Sequence, residues 1–148
     1  MYKESILQTE FVDAYVHCGL SKYKPLPEVE KAMKLARVDR AVLVQYLGEF
    51  NNTYIQNAVT KNPEKFAGVF LVDYTQDSVY NELKRWANTG RFRGVRFLLE
   101  SLELNPILWQ EAVNLNLNII VYEPEGIAKG FNLLKNFLKK NPTATIIL

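Results

Sequence analysis

The chain has one cysteine, Cys18, and one histidine, His17, among its 148 residues. A single thiol cannot build an intrachain disulfide framework, and this cysteine usage fits a reducing compartment. No apolar run approaches the roughly 20 residues of a membrane-spanning helix. The opening segment, Met1 to Glu10, lacks the long apolar core of a secretory signal. These absences lead to the expectation of a cytoplasmic protein with no membrane partner. Charge of one sign is also missing. The formal net charge is +2 and the only adjacent lysines are Lys139 and Lys140, so composition gives no reason to expect nucleic acid. There is no Gly-x-Gly-x-x-Gly and no phosphate-cradling loop, which removes the usual support for a nucleotide, and no Gly-x-Ser-x-Gly elbow for a serine nucleophile. No linker, low-complexity tract or change of composition divides residues 1–148, which read as one domain.

What is present is ordinary globular material, 48% hydrophobic and 23% charged, arranged as an unbroken alternation of strand-like and helix-like segments. The strand-like runs are Val12–His17, Ala41–Gln45, Phe66–Asp73, Gly94–Leu98, Asn118–Tyr122 and Ala144–Leu148. Between them, Pro27 to Arg37 opens on a proline suited to a first helical position and places Val29, Met33 and Ala36 on one face. Asn52 to Lys61 carries Ile55, Ala58 and Val59. Asp77 or Ser78 can cap a helix with Val79, Leu83 and Trp86. Pro106 to Leu115 places Leu108, Trp109 and Ala112 together, and Ile127 to Lys140 gives Phe131, Leu134, Phe137 and Leu138. The strands are apolar on both sides, as parallel strands under helices are, and strict alternation predicts an α/β fold with right-handed crossovers.

The count of units chooses between two such folds. Eight units at this spacing would need roughly 210 residues or more, and about five and a half are present. We therefore expect an incomplete (β/α)8 barrel with parallel strands and outer helices, its carboxy-terminal strands missing. The chain alone would then be inactive. An open doubly wound sheet is the alternative, and it would place the first strand beside the third. A barrel cut after its sixth strand leaves Ala144 to Leu148 as an unpaired edge, which invites a homo-oligomer or another partner.

In either fold, sites form at the carboxyl ends of the strands. Those ends carry His17, Gln45, Asp73, Arg96 and the pair Tyr122 and Glu123. Gln45, Asp73 and Glu123 serve equally well as strand-ending or helix-capping residues. His17 is the stronger candidate. Period-two alternation puts Asp13, Tyr15 and His17 on one face of the first strand, and a row of titratable groups is costly to bury unless it has a task. Arg96 lies inside a strand between Val95 and Phe97. Its fork suits a carboxylate, either a substrate's or that of Asp73 or Glu123. Trp86 and Trp109 fall on helix stripes and read as core. Cys18 is adjacent to His17 and would point to the opposite face, so the two do not read as a catalytic pair.

The segment Asp13-Ala14-Tyr15-Val16-His17 resembles the Asp-x-His-x-His opening strand of the amidohydrolase superfamily. The rest is similar to its amidohydrolase-related branch of lactonases and decarboxylases. Val38 to Gln45 resembles that branch's second strand, Asn51 to Pro63 its second helix and following turn, Phe66 to Asp73 its third strand and Gly90 to Arg96 its fourth. Leu138 to Leu148 resembles the approach to the sixth strand, after which the family continues into Asp-His-x-Gly. The closest flavour is the sugar-lactone and pyrone-dicarboxylate lactonase group.

The resemblance implies a distorted (β/α)8 barrel that hydrolyses a lactone or other cyclic ester or amide, acting on a small and carboxylate-bearing molecule. His17 matches the second histidine of the opening pair and Tyr15 stands at the first, so these two are the expected catalytic residues. Gln45, Asp73, Arg96, Tyr122 and Glu123 are the expected substrate contacts. Many relatives use a divalent metal such as zinc. Here His17 is the one conventional ligand, because a phenol with a pKa near about 10 is a poor one, so the expected cofactor is none or a weakly held metal. A non-catalytic half-barrel that pairs with itself or a partner, and a receiver-like binding module built around Asp73, are the alternatives.

Overall fold

The computed structural model describes residues 10–148. The opening segment read above for a signal core therefore lies, except for Glu10, outside the described residues. The elements alternate as β1 (Val12–Val16), α1 (Leu26–Ala36), β2 (Arg40–Val44), α2 (Thr53–Lys61), β3 (Phe66–Leu71), α3 (Val79–Asn88), β4 (Phe92–Leu98), α4 (Glu100–Leu104), α5 (Pro106–Asn114), β5 (Asn118–Tyr122), α6 (Phe131–Lys140) and β6 (Ile146–Ile147). A 3-10 turn over Ile127–Gly130 leads into α6. The six strands form one parallel sheet in the order β1-β2-β3-β4-β5-β6. The sheet curls as an incomplete α/β barrel with the helices outside. Because β1 pairs with β2 and not with β3, the doubly wound alternative and the receiver-like sheet are both overturned.

Strand alternation sorts the apolar residues into two layers. Leu43, Phe70, Val95, Phe97, Ile119 and Val121 face the helices and join their stripes in the main core, with Ile55, Leu83 and Trp109 at its centre. The inward layer is thin, with Val44, Val69 and Ile120 packed together and Val42 against them. Arg96 takes the inward position opposite Leu71 and Ile120. The missing apolar bulk on the concave side is the physical origin of the cleft described below.

Three features depart from the sequence reading. Asp13 pairs with Ala41 and Val16 pairs with Leu43, so three steps on β1 oppose two on β2. This bulge breaks period two. Asp13 and Val16 line the cleft on the helix α1 side, Tyr15 lines the inward cleft, His17 borders both, and the expected polar row of three does not share one face. The second departure is α4, a five-residue helix between the fourth strand and the Pro106 helix, where the sequence reading places no element. Its Ser101 is buried and accepts a hydrogen bond from Trp109 Nε1 at 2.8 Å. The third is the start of α6. The expected helix from Ile127 opens as a tighter 3-10 turn, and at its end a Cβ on Gly130 would stand 1.9 Å from Leu99 Cδ2. Only glycine allows that close approach.

The loop ends that carry the site are tied down. Asn52 is buried ahead of α2. Its side-chain amide donates to Leu71 O at 2.9 Å, and its Oδ1 accepts from Leu71 N at 3.0 Å. Those bonds satisfy the last backbone groups of β3 where the ladder ends. Tyr46 is buried beside Gly19, where a Cβ would meet its ring at 2.9 Å, and its hydroxyl lies 3.0 Å from Ser21 Oγ. The β1–α1 loop is thereby pinned to the end of β2.

Candidate active site

Four of the seven sequence-derived candidates converge. Tyr15, His17, Arg96 and Tyr122 line one cleft of about 480 Å³ on the concave face, between β1 on one side and β5 and β6 on the other. Arg96 lies at its floor with 4% of its surface exposed. Its Nη1 donates to Gln45 O at 3.2 Å, and its Nε has no hydrogen-bond partner among the described residues. Two aromatic rings hold the guanidinium, Tyr122 at 4.7 Å and Tyr15 at 5.7 Å from their centroids. Rings supply electrostatic attraction without consuming hydrogen-bonding capacity. No carboxylate among the described residues forms an ion pair with Arg96, which removes the partners Asp73 and Glu123 considered above.

His17 stands at the mouth. Its Nδ1 lies 2.6 Å from Val44 O. A carbonyl only accepts, so Nδ1 carries the proton and Nε2 keeps its lone pair in the neutral ring. Burial lowers the histidine's pKa below its ordinary 6.5. The Val44 carbonyl partly offsets this, while Arg96 and Lys22 add to the depression. Tyr15 packs edge-on against His17 at 5.1 Å, and burial raises its phenol above the ordinary value of 10.0 despite Arg96, which opposes the shift. At neutral pH the pair is thus a neutral imidazole with a free acceptor and a protonated phenol able to donate.

A group whose folded pKa is depressed gives stability that is complete above its unfolded pKa and lost as pH falls through the folded value. Unfolding free energy measured by denaturant melts is therefore expected to decline as pH drops below 6.5. In His17→Gln that part of the decline should vanish. A slope unchanged by the substitution would show that other groups carry it.

The remaining candidates are placed elsewhere. Gln45 is buried, but its amide is spent on the adjacent loop. Nε2 donates to Asn51 O at 3.0 Å and Oε1 accepts from Tyr46 N at 3.1 Å. It reaches the cleft only through its backbone carbonyl, which holds Arg96. Asp73 closes a turn, accepting from Thr75 N at 3.0 Å, Thr75 Oγ1 at 2.6 Å and Gln76 Nε2 at 3.2 Å. The Thr75 hydroxyl is the main reason its pKa is lowered. Glu123 accepts from Glu125 N at 3.1 Å in the turn after β5. Neither Asp73 nor Glu123 lines the cleft. Cys18 is buried in the main core, and burial pushes its thiol up to about 11, the state of an inert cysteine.

The sequence reading missed the β1–α1 loop. Tyr23 lies 4.7 Å from the His17 ring and 5.0 Å from Tyr46, and Lys22 joins the cleft wall beside it. Neither residue sits at a strand end, and their only sequence signal was a tyrosine and a lysine in a loop next to a candidate histidine.

The described donors are not gathered as a metal site. Among the described residues no group of three or more His, Cys, Asp or Glu side chains is gathered around one point. His17 contributes one nitrogen, and the phenol beside it is held in its protonated form, the wrong state for a ligand. No helix among the described residues is long and apolar enough to cross a membrane.

No protein-family model matches the chain, and no curated protein does. Solved structures do. A probable 2-pyrone-4,6-dicarboxylic acid hydrolase from Acinetobacter baumannii, with citric acid bound, superposes with a TM-score of 0.63 at 19% identity, over 90% of this chain and 55% of that one. An Agrobacterium tumefaciens protein in its apo form gives 0.64 at 15% identity, over 86% and 55%. An amidohydrolase from Burkholderia multivorans with bound HEPES gives 0.65 at 12% identity, over 95% and 56%. The shared feature is the fold, and the chain spans about 55% of the length of these structures.

Proposed function

We propose that this chain carries the substrate-holding part of an amidohydrolase-related hydrolase that opens a carboxylate-bearing lactone or other cyclic ester. The observation that carries the reading is Arg96, a buried guanidinium with no ion-pair partner among the described residues, held between two tyrosine rings at the floor of a cleft whose mouth holds the only histidine. A buried charge without a counter-charge is costly, and a substrate carboxylate supplies the missing partner. Two of the structurally similar proteins bear hydrolase names, and one was crystallised with a polycarboxylate.

In this reading Arg96 binds the carboxylate and fixes the ring of the substrate against Tyr122. His17 Nε2 takes a proton from the attacking water, its tautomer set by Val44 O. Tyr15 donates to the carbonyl oxygen as negative charge develops there. No step is assigned to a metal, because the described donors do not form a ligand set. Purified chain is expected to hold zinc well below one ion per molecule after dialysis, and stoichiometric zinc would overturn that assignment. The competing reading is a half-barrel that binds but does not react, and it is favoured by the gap between β1 and β6.

Titration calorimetry with citrate tests the binding claim, and a panel of carboxylated and neutral lactones tests the chemistry. Citrate binding by the chain, and turnover of acidic lactones by a protein in which the chain is completed to a full barrel, is the expected result. Binding without turnover selects the non-catalytic reading, and absence of both removes the proposal.

A further inference from the structure

Among the described residues Arg96 is held by a single hydrogen bond, from Nη1 to Gln45 O at 3.2 Å. His17 is held by the carbonyl one residue earlier, Val44 O, at 2.6 Å. The two acceptors belong to consecutive peptide units, and a different part of the molecule fixes each. In a trans peptide the N–H and the C=O lie in one plane and point in opposite directions. Val44 O shares its plane with Gln45 N, which donates to Val69 O of β3 at 2.9 Å. The sheet itself therefore aims the carbonyl that holds His17. Gln45 O shares its plane with Tyr46 N, and the pairing of β2 with β3 has ended at Val44 and Val69. Tyr46 N donates instead to Gln45 Oε1 at 3.1 Å. The Gln45 side chain clamps the peptide that carries its own carbonyl.

The clamp is anchored at its other end. Gln45 Nε2 donates to Asn51 O at 3.0 Å, and Asn51 Oδ1 accepts from Thr53 N at 3.1 Å at the start of α2. A backbone N–H only donates and a carbonyl only accepts, so the partners dictate both roles of the amide. Gln45 is buried, and losing its amide would leave Tyr46 N–H without this partner and the peptide plane free to turn.

We propose that Gln45 is a positioning residue whose side-chain amide sets the Gln45–Tyr46 peptide so that its carbonyl holds the Arg96 fork toward the cleft. The inference rests on Arg96 as the carboxylate holder. A guanidinium grips a carboxylate through two parallel bonds, and fixing its plane beforehand lowers the cost of forming them. With Nη1 tied to Gln45 O, the unpartnered Nε stays available to a ligand.

The test is Gln45→Met, matched in length and checked for folding by circular dichroism. The nitrogen spectrum of the Arg96 guanidinium, assigned by comparison with Arg96→Met, should show two separate terminal nitrogens in the parent chain, because the bond to Gln45 O stops their exchange by rotation. In Gln45→Met they should merge, and citrate affinity by calorimetry should fall by about three- to tenfold. Gln45→Glu keeps an acceptor for Tyr46 N and should keep the two signals apart. The ring nitrogens of the single histidine, read well above pH 6.5, should report the same Nδ1–H tautomer in the parent chain and in Gln45→Met, because β3 and not Gln45 aims Val44 O. Merged signals in the parent chain would overturn the proposal, whether or not the variants fold. So would a citrate affinity unchanged in Gln45→Met, or a histidine tautomer that shifts together with the arginine, which would mark a general loosening. If citrate fails to bind the parent chain, the hydrolase reading falls, and the guanidinium signals still decide what Gln45 does.

Discussion

Arg96→Met is expected to lose carboxylate binding and keep, or gain, stability. Arginine–carboxylate bonds are charge-assisted and each is worth about 1.5–3 kcal/mol, so citrate affinity should fall by about ten- to a hundredfold or below detection. Stability should move the other way. The guanidinium is 4% exposed, and among the described residues its Nε is unpartnered and no carboxylate pairs with it. Replacing such a charge with an apolar side chain of similar reach removes a desolvation cost, and the melting temperature should hold or rise. The cation–π contacts to Tyr15 and Tyr122 and the bond to Gln45 O are lost as well, which keeps the gain small. Arg96→Lys preserves charge but not the fork and should recover little of the affinity. If Arg96 were instead half of a structural ion pair, Arg96→Met would destabilise the chain by about 3–5 kcal/mol. Calorimetry for affinity and thermal melts for stability, on the same protein, separate the two roles.

Trp109→Ala should give the largest loss of stability of any single truncation. The ring is fully buried on α5, lies 5.3 Å from Phe97 and 5.6 Å from Phe137, and binds Ser101 Oγ through Nε1. It therefore joins β4, α6 and α4 in one contact set. Removing it costs the transfer energy of the ring and leaves a cavity, together about 3–5 kcal/mol. A melting temperature lower by about 10 °C would be in proportion for a chain of this size. Trp109→Phe keeps the stacking but drops the donor to Ser101 and should cost less. Chemical denaturation of the two variants checks the order. A small effect from Trp109→Ala would mean that α4 and α5 repack readily and do not anchor the sheet.

The alternation of apolar runs determined the fold class on its own, because a parallel strand buried on both faces and a helix buried on one stripe leave different periods in the sequence. The ends of β5 and the stripes Val79-Leu83-Trp86 and Leu108-Trp109-Ala112 were legible for that reason. The polar residues at the strand ends were legible as a set. Their division was not, since an aspartate that closes a turn and one that meets a substrate look alike in sequence. Asp73 and Glu123 turned out to close turns, and Gln45 to brace a loop.

Three matters were decided only by the tertiary structure. The bulge in β1 parted Asp13 from Tyr15, with His17 bordering the clefts of both, a change of one residue in register that no periodicity reveals. The β1–α1 loop brought Lys22 and Tyr23 to the cleft, because Tyr46 and Gly19 meet across the strand ends. The environment of Arg96 was the third. The sequence shows that an arginine lies in a strand, but whether a carboxylate stands opposite it depends on residues far away along the chain. Distance in space sets electrostatic energy, and it was the curl of the sheet that left this charge between two rings with no carboxylate paired to it among the described residues.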